Sequence, residues 1–180
     1  MKIVSLGPVP FLGVNPAVIT PAAWHDHFGH PPYRTPYVDL VRRMATEVFE
    51  PGEPYLYQAE PNLRIHPPGG VAVPWHTDAD FGHLPEEWNI WTPLTATTHS
   101  SQRLHLQCED GLIWAPHVRV GEALIFRGAT LRHGNATNLT ETTRLSFDFR
   151  LLAVKDYRDT GARTVLYDVP LRVPEYWRQM

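Results

Sequence analysis

Thr143-Arg144-Leu145-Ser146-Phe147-Asp148-Phe149-Arg150-Leu151-Leu152-Ala153-Val154 is the stretch that decides the fold class. Leu145, Phe147, Phe149 and Leu151 alternate with Arg144, Ser146, Asp148 and Arg150. A period of two is the pattern of a β-strand whose two faces meet different surroundings. Working outward, shorter strand candidates precede it at Tyr55–Gln58, Leu63–His66, Val71–Trp75, Asn89–Leu94, Leu104–Gln107, Leu112–Trp114, Ala123–Phe126 and Thr130–His133. Turn signals such as Pro67-Pro68-Gly69-Gly70 separate them. Many short strands broken by turns predict a mainly β, antiparallel sandwich or barrel. A double-stranded β-helix, the jelly-roll or cupin-like barrel, fits the count best.

The first third carries the helical signals. Thr20-Pro21 opens a short helix ending near Gly29, and Thr35-Pro36 opens a better one to about Glu50. In the second, Tyr37, Leu40, Val41, Met44 and Val48 share one face that would bury against a sheet. One or two N-terminal helices packed on the barrel are therefore expected. The 180 residues suit a single domain, 1–180, with one core.

A net charge of -3 points away from nucleic acid or an anionic membrane as the main partner. The chain lacks both the apolar run of a signal peptide and a span of 18 apolar residues. With a single cysteine, Cys108, the expectation is a cytoplasmic protein acting on a small molecule. Oligomeric state is not legible in the sequence.

His76-Thr77-Asp78 is the chemical clue. In an extended chain, residues i and i+2 point the same way, so an imidazole and a carboxylate are presented together. They are two members of the 2-His-1-carboxylate facial triad, which leaves positions open on Fe(II). A bare His-x-Asp is common by chance. His133, in Leu131-Arg132-His133-Gly134-Asn135, supplies the third member. Antiparallel pairing with the long strand would set His133 opposite Arg144, so Arg144 and Ser146 would share its cavity face. A guanidinium there suits a carboxylate, which it binds bidentately, and Ser146 adds a hydrogen bond. Asp148 and Arg150 read as structural. The remaining histidines, among them His25, His27, His30, His99, His105 and His117, have no metal-like spacing with the triad.

His-x-Asp, a distal His and then Arg-x-Ser resembles the pattern of the iron(II)/2-oxoglutarate dioxygenases. His76-Thr77-Asp78-Ala79-Asp80-Phe81-Gly82-His83 and Thr142-Thr143-Arg144-Leu145-Ser146-Phe147-Asp148-Phe149-Arg150 narrow the resemblance to the StrG-type oxygenases, named for streptomycin biosynthesis. It covers roughly Leu63 to Leu152. The chain departs from the family at Ser101-Gln102-Arg103-Leu104-His105, where an Asn-rich turn and a Trp are usual, so a different substrate is expected.

The resemblance implies His76, Asp78 and His133 as ligands of Fe(II), with Arg144 and Ser146 anchoring 2-oxoglutarate and O2 as the oxidant source. Because Asp78 is present, hydroxylation or a related oxidation is expected rather than halogenation. The expected substrate is a small polar natural-product intermediate. Asn89 is a further candidate for the 2-oxoglutarate carboxylate. Arg64, His66, Asp80, His83 and Trp91 are candidates for substrate contact, and Asp80, Glu86 and Glu87 would favour a cationic group. The alternative is a cupin-type metal enzyme that does not use 2-oxoglutarate; Arg-x-Ser after the distal His argues against it.

Overall fold

A computed structural model describes residues 1–7, 31–50, 52–165 and 167–180. The expected helix at Thr20–Gly29 lies outside the described residues. The strands are β1 (Lys2–Ser5), β2 (Tyr55–Gln58), β3 (Asn62–His66), β4 (Trp88–Pro93), β5 (His105–Gln107), β6 (Ile113–Trp114), β7 (Glu122–Phe126), β8 (His133–Gly134), β9 (Arg144–Ala153) and β10 (Trp177–Gln179). Helix α1 (Pro31–Arg43) runs into a π-helical turn, Met44–Val48. The described residues are thus mainly β, arranged in antiparallel sheets. No helix among them is long and apolar enough to cross a membrane.

β9 is the spine. It is buried along its whole length and lies in a seven-stranded sheet ordered β1-β7-β4-β9-β2-β10, with β3 also paired to β9. β3 covers its first half, β2 its second half, and β4 the other edge. A second sheet, β6-β5-β8, is three-stranded. The two are packed together through Trp91, Leu124 and Phe126 of the large sheet and Leu104, Leu106 and Val118.

The two faces of β9 have the two destinies that its alternation announced. Leu145, Phe147, Phe149 and Leu151 join Ile90, Ala123 and Ile125 in a core sealed by Tyr37, Leu40, Val41 and Met44 of the helical segment. Tyr37 meets Phe149 edge to face, with ring centroids 5.4 Å apart. Phe149 is fully buried, so Phe149→Ala is expected to cost about 3–5 kcal/mol of stability, read by chemical denaturation. The opposite face carries Arg144, Ser146, Asp148 and Arg150 toward the small sheet, a polar interior that requires partners.

Several expectations are corrected. α1 begins before the Thr35-Pro36 signal, and Pro36 lies inside it. So close to the helix start, a missing N–H deprives only the residue 32 carbonyl, and burial of the apolar stripe outweighs that loss. Val71–Trp75 is not a strand. Prolines at 67, 68 and 74 remove ladder donors, leaving scattered bonds such as Asn135 N–H to the Val73 carbonyl at 2.9 Å. Nor do β8 and β9 pair. His133 opposes Leu106, and Arg144 opposes His66. The chain between them crosses from one sheet to the other, pinned by buried Asn138, whose Nδ2 donates to the carbonyls of His66 (3.0 Å) and Thr142 (2.8 Å).

Candidate metal centre

His76 and His133 face each other across an isolated antiparallel bridge. Each backbone N–H donates to the other's carbonyl at 2.9 Å. Residues directly opposite in such a pair project to the same side, and the two rings stand 4.4 Å apart. Each Nδ1 lies 2.8 Å from a carbonyl, Pro74 for His76 and Leu131 for His133. A carbonyl only accepts, so Nδ1 carries the proton and Nε2 presents a lone pair.

Asp78 opens a 3-10 turn, Asp78–Phe81, and its N–H donates to the Gly128 carbonyl at 2.9 Å. Its Oδ1 lies 3.3 Å from His76 Nε2 and 3.7 Å from His133 Nε2. One ligand atom from each of the three residues falls within 4.8 Å of the others. The other carboxylate oxygen, Oδ2, accepts from Arg150 Nη2 (2.8 Å) and Asn89 Nδ2 (2.7 Å). A single oxygen is thereby left facing the imidazoles.

The electrostatics keep the carboxylate ionised and act in opposite directions on the two imidazoles. Burial alone would raise the Asp78 carboxyl, but the Arg150 guanidinium and the neighbouring imidazoles hold it well below the usual carboxylate range. Burial pushes the His133 imidazole down despite Asp78, which favours its neutral form, the one able to bind a metal. His76 is raised: burial lowers it, but Asp78 and the Pro74 carbonyl outweigh that. Arg150 is itself fixed by Tyr176 Oη (2.9 Å) and Gln58 Oε1 (3.3 Å).

Gly128 is where the backbone closes on this cluster. A Cβ there would stand 2.5 Å from both Asp78 Oδ2 and Asn89 Nδ2. Gly128→Ala should therefore displace the carboxylate and weaken divalent-metal binding by about 10–100-fold. Co(II) titration with circular dichroism as the folding control reads this out; unchanged affinity would show that Asp78 tolerates the shift.

Arg144 lies further along the same face of β9 and is fully buried. Its Nε donates to the Gln102 carbonyl (3.1 Å), Nη1 to Ser146 Oγ, and Nη2 to His66 Nδ1 (3.2 Å). None of these is an anion. Burial pushes the guanidinium down to about 10, which leaves it a cation at neutral pH. Trp91 donates its indole N–H to Ser146 Oγ at 3.0 Å and stands 5.6 Å from the Arg144 guanidinium.

The remaining candidates separate. Arg64 lines a cavity of about 440 Å³ that opens onto His76 and Asp78, and it is paired with Asp148 at 2.7 Å. His83 also lines the cavity, with Nδ1 on Glu87 at 2.8 Å. His66 is fully buried behind the site; its Nε2 reaches the Gly70 and Ala136 carbonyls, which frees Nδ1 to accept from Arg144. Asp80 is turned to the Thr77 N–H at 2.8 Å and caps the turn that carries Asp78. Asn89 gives its amide N–H to Asp78, and its buried Oδ1 has no partner among the described residues.

By sequence alone Arg150 reads as structural, although its parity with Arg144 puts it on the site face; only the fold shows its grip on Asp78. Tyr176, Val165 and Val169 also line the cavity. Nothing in the last 25 residues announced them, because their place is set by chain path rather than by a local pattern.

No protein-family profile matches the chain. The streptomycin biosynthesis protein StrG of Streptomyces griseus is 39% identical over 148 residues, covering 82% of this chain and 68% of that protein. The chain belongs to the StrG family. Among solved structures, iron-bound HygX from Streptomyces hygroscopicus aligns with a TM-score of 0.60 at 15% identity, over 91% of this chain and 87% of that one. The non-heme alpha ketoglutarate dependent epimerase SnoN from nogalamycin biosynthesis aligns at 0.54, with 15% identity over 84% and 73%. At these identities the likeness is one of fold.

Proposed function

We propose that this chain is a non-haem Fe(II)/2-oxoglutarate-dependent oxygenase that oxidises a small natural-product intermediate. His76, Asp78 and His133 hold the iron, and Arg144 with Ser146 binds the distal carboxylate of 2-oxoglutarate. The large and small sheets are the two sides of a double-stranded β-helix. The observation that carries the reading is the pairing of two features on one polar face. Two Nε2 atoms and one carboxylate oxygen converge with their outer atoms already bonded, and a buried cation with no anionic partner among the described residues lies on the strand behind them.

The donor set fits the metal. Two neutral imidazoles and one oxygen of a carboxylate are the ligands of the facial triad, which keeps positions open for a co-substrate. HygX has been solved with nickel and 2-oxoglutarate bound, and its fold matches with a TM-score of 0.54 at 15% identity over 76% of this chain and 74% of that one. Bound Fe(II), with 2-oxoglutarate and O2, would supply an oxidant able to act on an unactivated C–H group. The protein's residues do the rest. Arg150 and Asn89 hold Asp78 by one oxygen, the carbonyls of Pro74 and Leu131 fix the two imidazole tautomers, and His66 orients Arg144. A buried Arg144 would exclude the cupin-type alternative if its occupant is 2-oxoglutarate.

The test is conversion of 2-oxoglutarate to succinate by purified protein with Fe(II) and O2. Slow, metal-dependent succinate formation is expected even without the prime substrate. Absence of succinate at saturating 2-oxoglutarate, from protein shown to bind Fe(II), would contradict the reading.

A further inference from the structure

The cavity beside the triad also bears on what the enzyme accepts, on the reading that the triad is the reacting centre. Acidic residues near it suggest a cationic substrate in the sequence, but the structure removes most of them from play. Asp80 caps its own turn. Glu86 pairs with Arg158 at 3.2 Å. Glu87 is buried and accepts from His83 and the Leu84 N–H, both at 2.8 Å. Three acids line the cavity itself: Asp78, held by Arg150 and Asn89, Glu175, paired with Arg172 at 3.0 Å, and Glu60, which is exposed.

The cations are distributed differently. Arg150 is occupied by Asp78, Gln58 and Tyr176, and Arg163 by Asp168. Arg64 uses one edge only: Nε donates to Asp148 Oδ1 (2.7 Å) and Nη2 to Oδ2 (3.2 Å). Its Nη1 has no partner among the described residues, and a quarter of the side chain is exposed (25%). A bidentate pair with a buried carboxylate fixes the guanidinium plane, so the remaining edge is a preorganised donor. Most of the cavity surface is apolar, contributed by Leu63, Val73, Trp75, Phe81, Val165 and Val169 among others.

We propose that the substrate has an apolar body carrying a carboxylate or comparable oxyanion, with the body against that wall and the anion on the free edge of Arg64. Arg64 is then the residue that sets charge preference. Among the described residues, a cationic group would find no unpaired buried acid in the cavity and would meet the guanidinium instead.

The test uses protein loaded with Ni(II) and saturated with 2-oxoglutarate, titrated calorimetrically with cyclohexylacetate and with cyclohexylmethylamine. The acid is expected to bind at least about tenfold more tightly, the order of a charge-assisted hydrogen bond. Arg64→Lys keeps a cation for Asp148 but lacks the second edge, and should lose most of that preference while binding 2-oxoglutarate as before. Tighter binding of the amine, equal binding, no binding of the acid, or an acid that merely displaces 2-oxoglutarate would each overturn the proposal. So would an unchanged preference in Arg64→Lys. Failure of the unsubstituted protein to bind 2-oxoglutarate would instead indict the reading of the site on which the proposal rests.

Discussion

His133→Ala is expected to lose Fe(II) affinity by more than about 100-fold, beyond the 10–100-fold typical of residues that only support a ligand, and to lose turnover with it. On the proposed ligand set His133 would contribute Nε2, and no other imidazole among the described residues joins His76 and Asp78 in a metal-competent cluster. The fold should survive. The backbone bonds between His133 and His76 do not use the side chain, and alanine tolerates the same extended conformation. Alanine at His76 or Asp78 should act alike, with one difference. Removing Asp78 leaves Arg150 and Asn89 without their shared acceptor, so Asp78→Ala should also lower stability. Full Fe(II) binding in any one of the three variants would remove that residue from the ligand set.

Arg144→Ala is expected to raise the 2-oxoglutarate requirement by an amount corresponding to about 2–5 kcal/mol, the usual result of truncating one partner of a buried charge pair. That is roughly 30-fold to several thousand-fold in apparent affinity. Fe(II) binding should change little, because Arg144 makes no contact with the triad: its partners are Gln102, Ser146 and His66. Loss of the side chain leaves a hole beside His66, so Arg144→Gln provides a variant of similar bulk without the charge. Both variants should show the same split between metal and co-substrate. If both bind 2-oxoglutarate normally, another cation holds it, and Arg150 is the neighbour on that face.

The alternation in Arg144–Leu151 was readable because a strand with two unlike surroundings must repeat every second residue, and β9 has a helix on one side and a polar interior on the other. The His-x-Asp-plus-His pattern was readable for a chemical reason, since few other residue sets bind a divalent ion and leave positions open. Pairing was not. His133 and Arg144 are close enough in sequence for a hairpin, yet Asn138 holds the intervening chain in a crossover between sheets. Both residues still reach one interior, because each sheet turns its site face toward the other. Asp80 and His66 show the limit of reading polar residues near a motif: one completes a turn and the other orients Arg144. Which polar groups are already satisfied is a property of the fold, and it separates Arg64, with one edge free, from Arg150, with none.

The most direct test of the account is anaerobic addition of Fe(II) and then 2-oxoglutarate to the metal-free protein, followed by visible absorption. A weak charge-transfer band that needs both additions is the expected result, and it should be absent in His133→Ala and require far more 2-oxoglutarate in Arg144→Ala. Tight Fe(II) binding with no spectral response at saturating 2-oxoglutarate would contradict it.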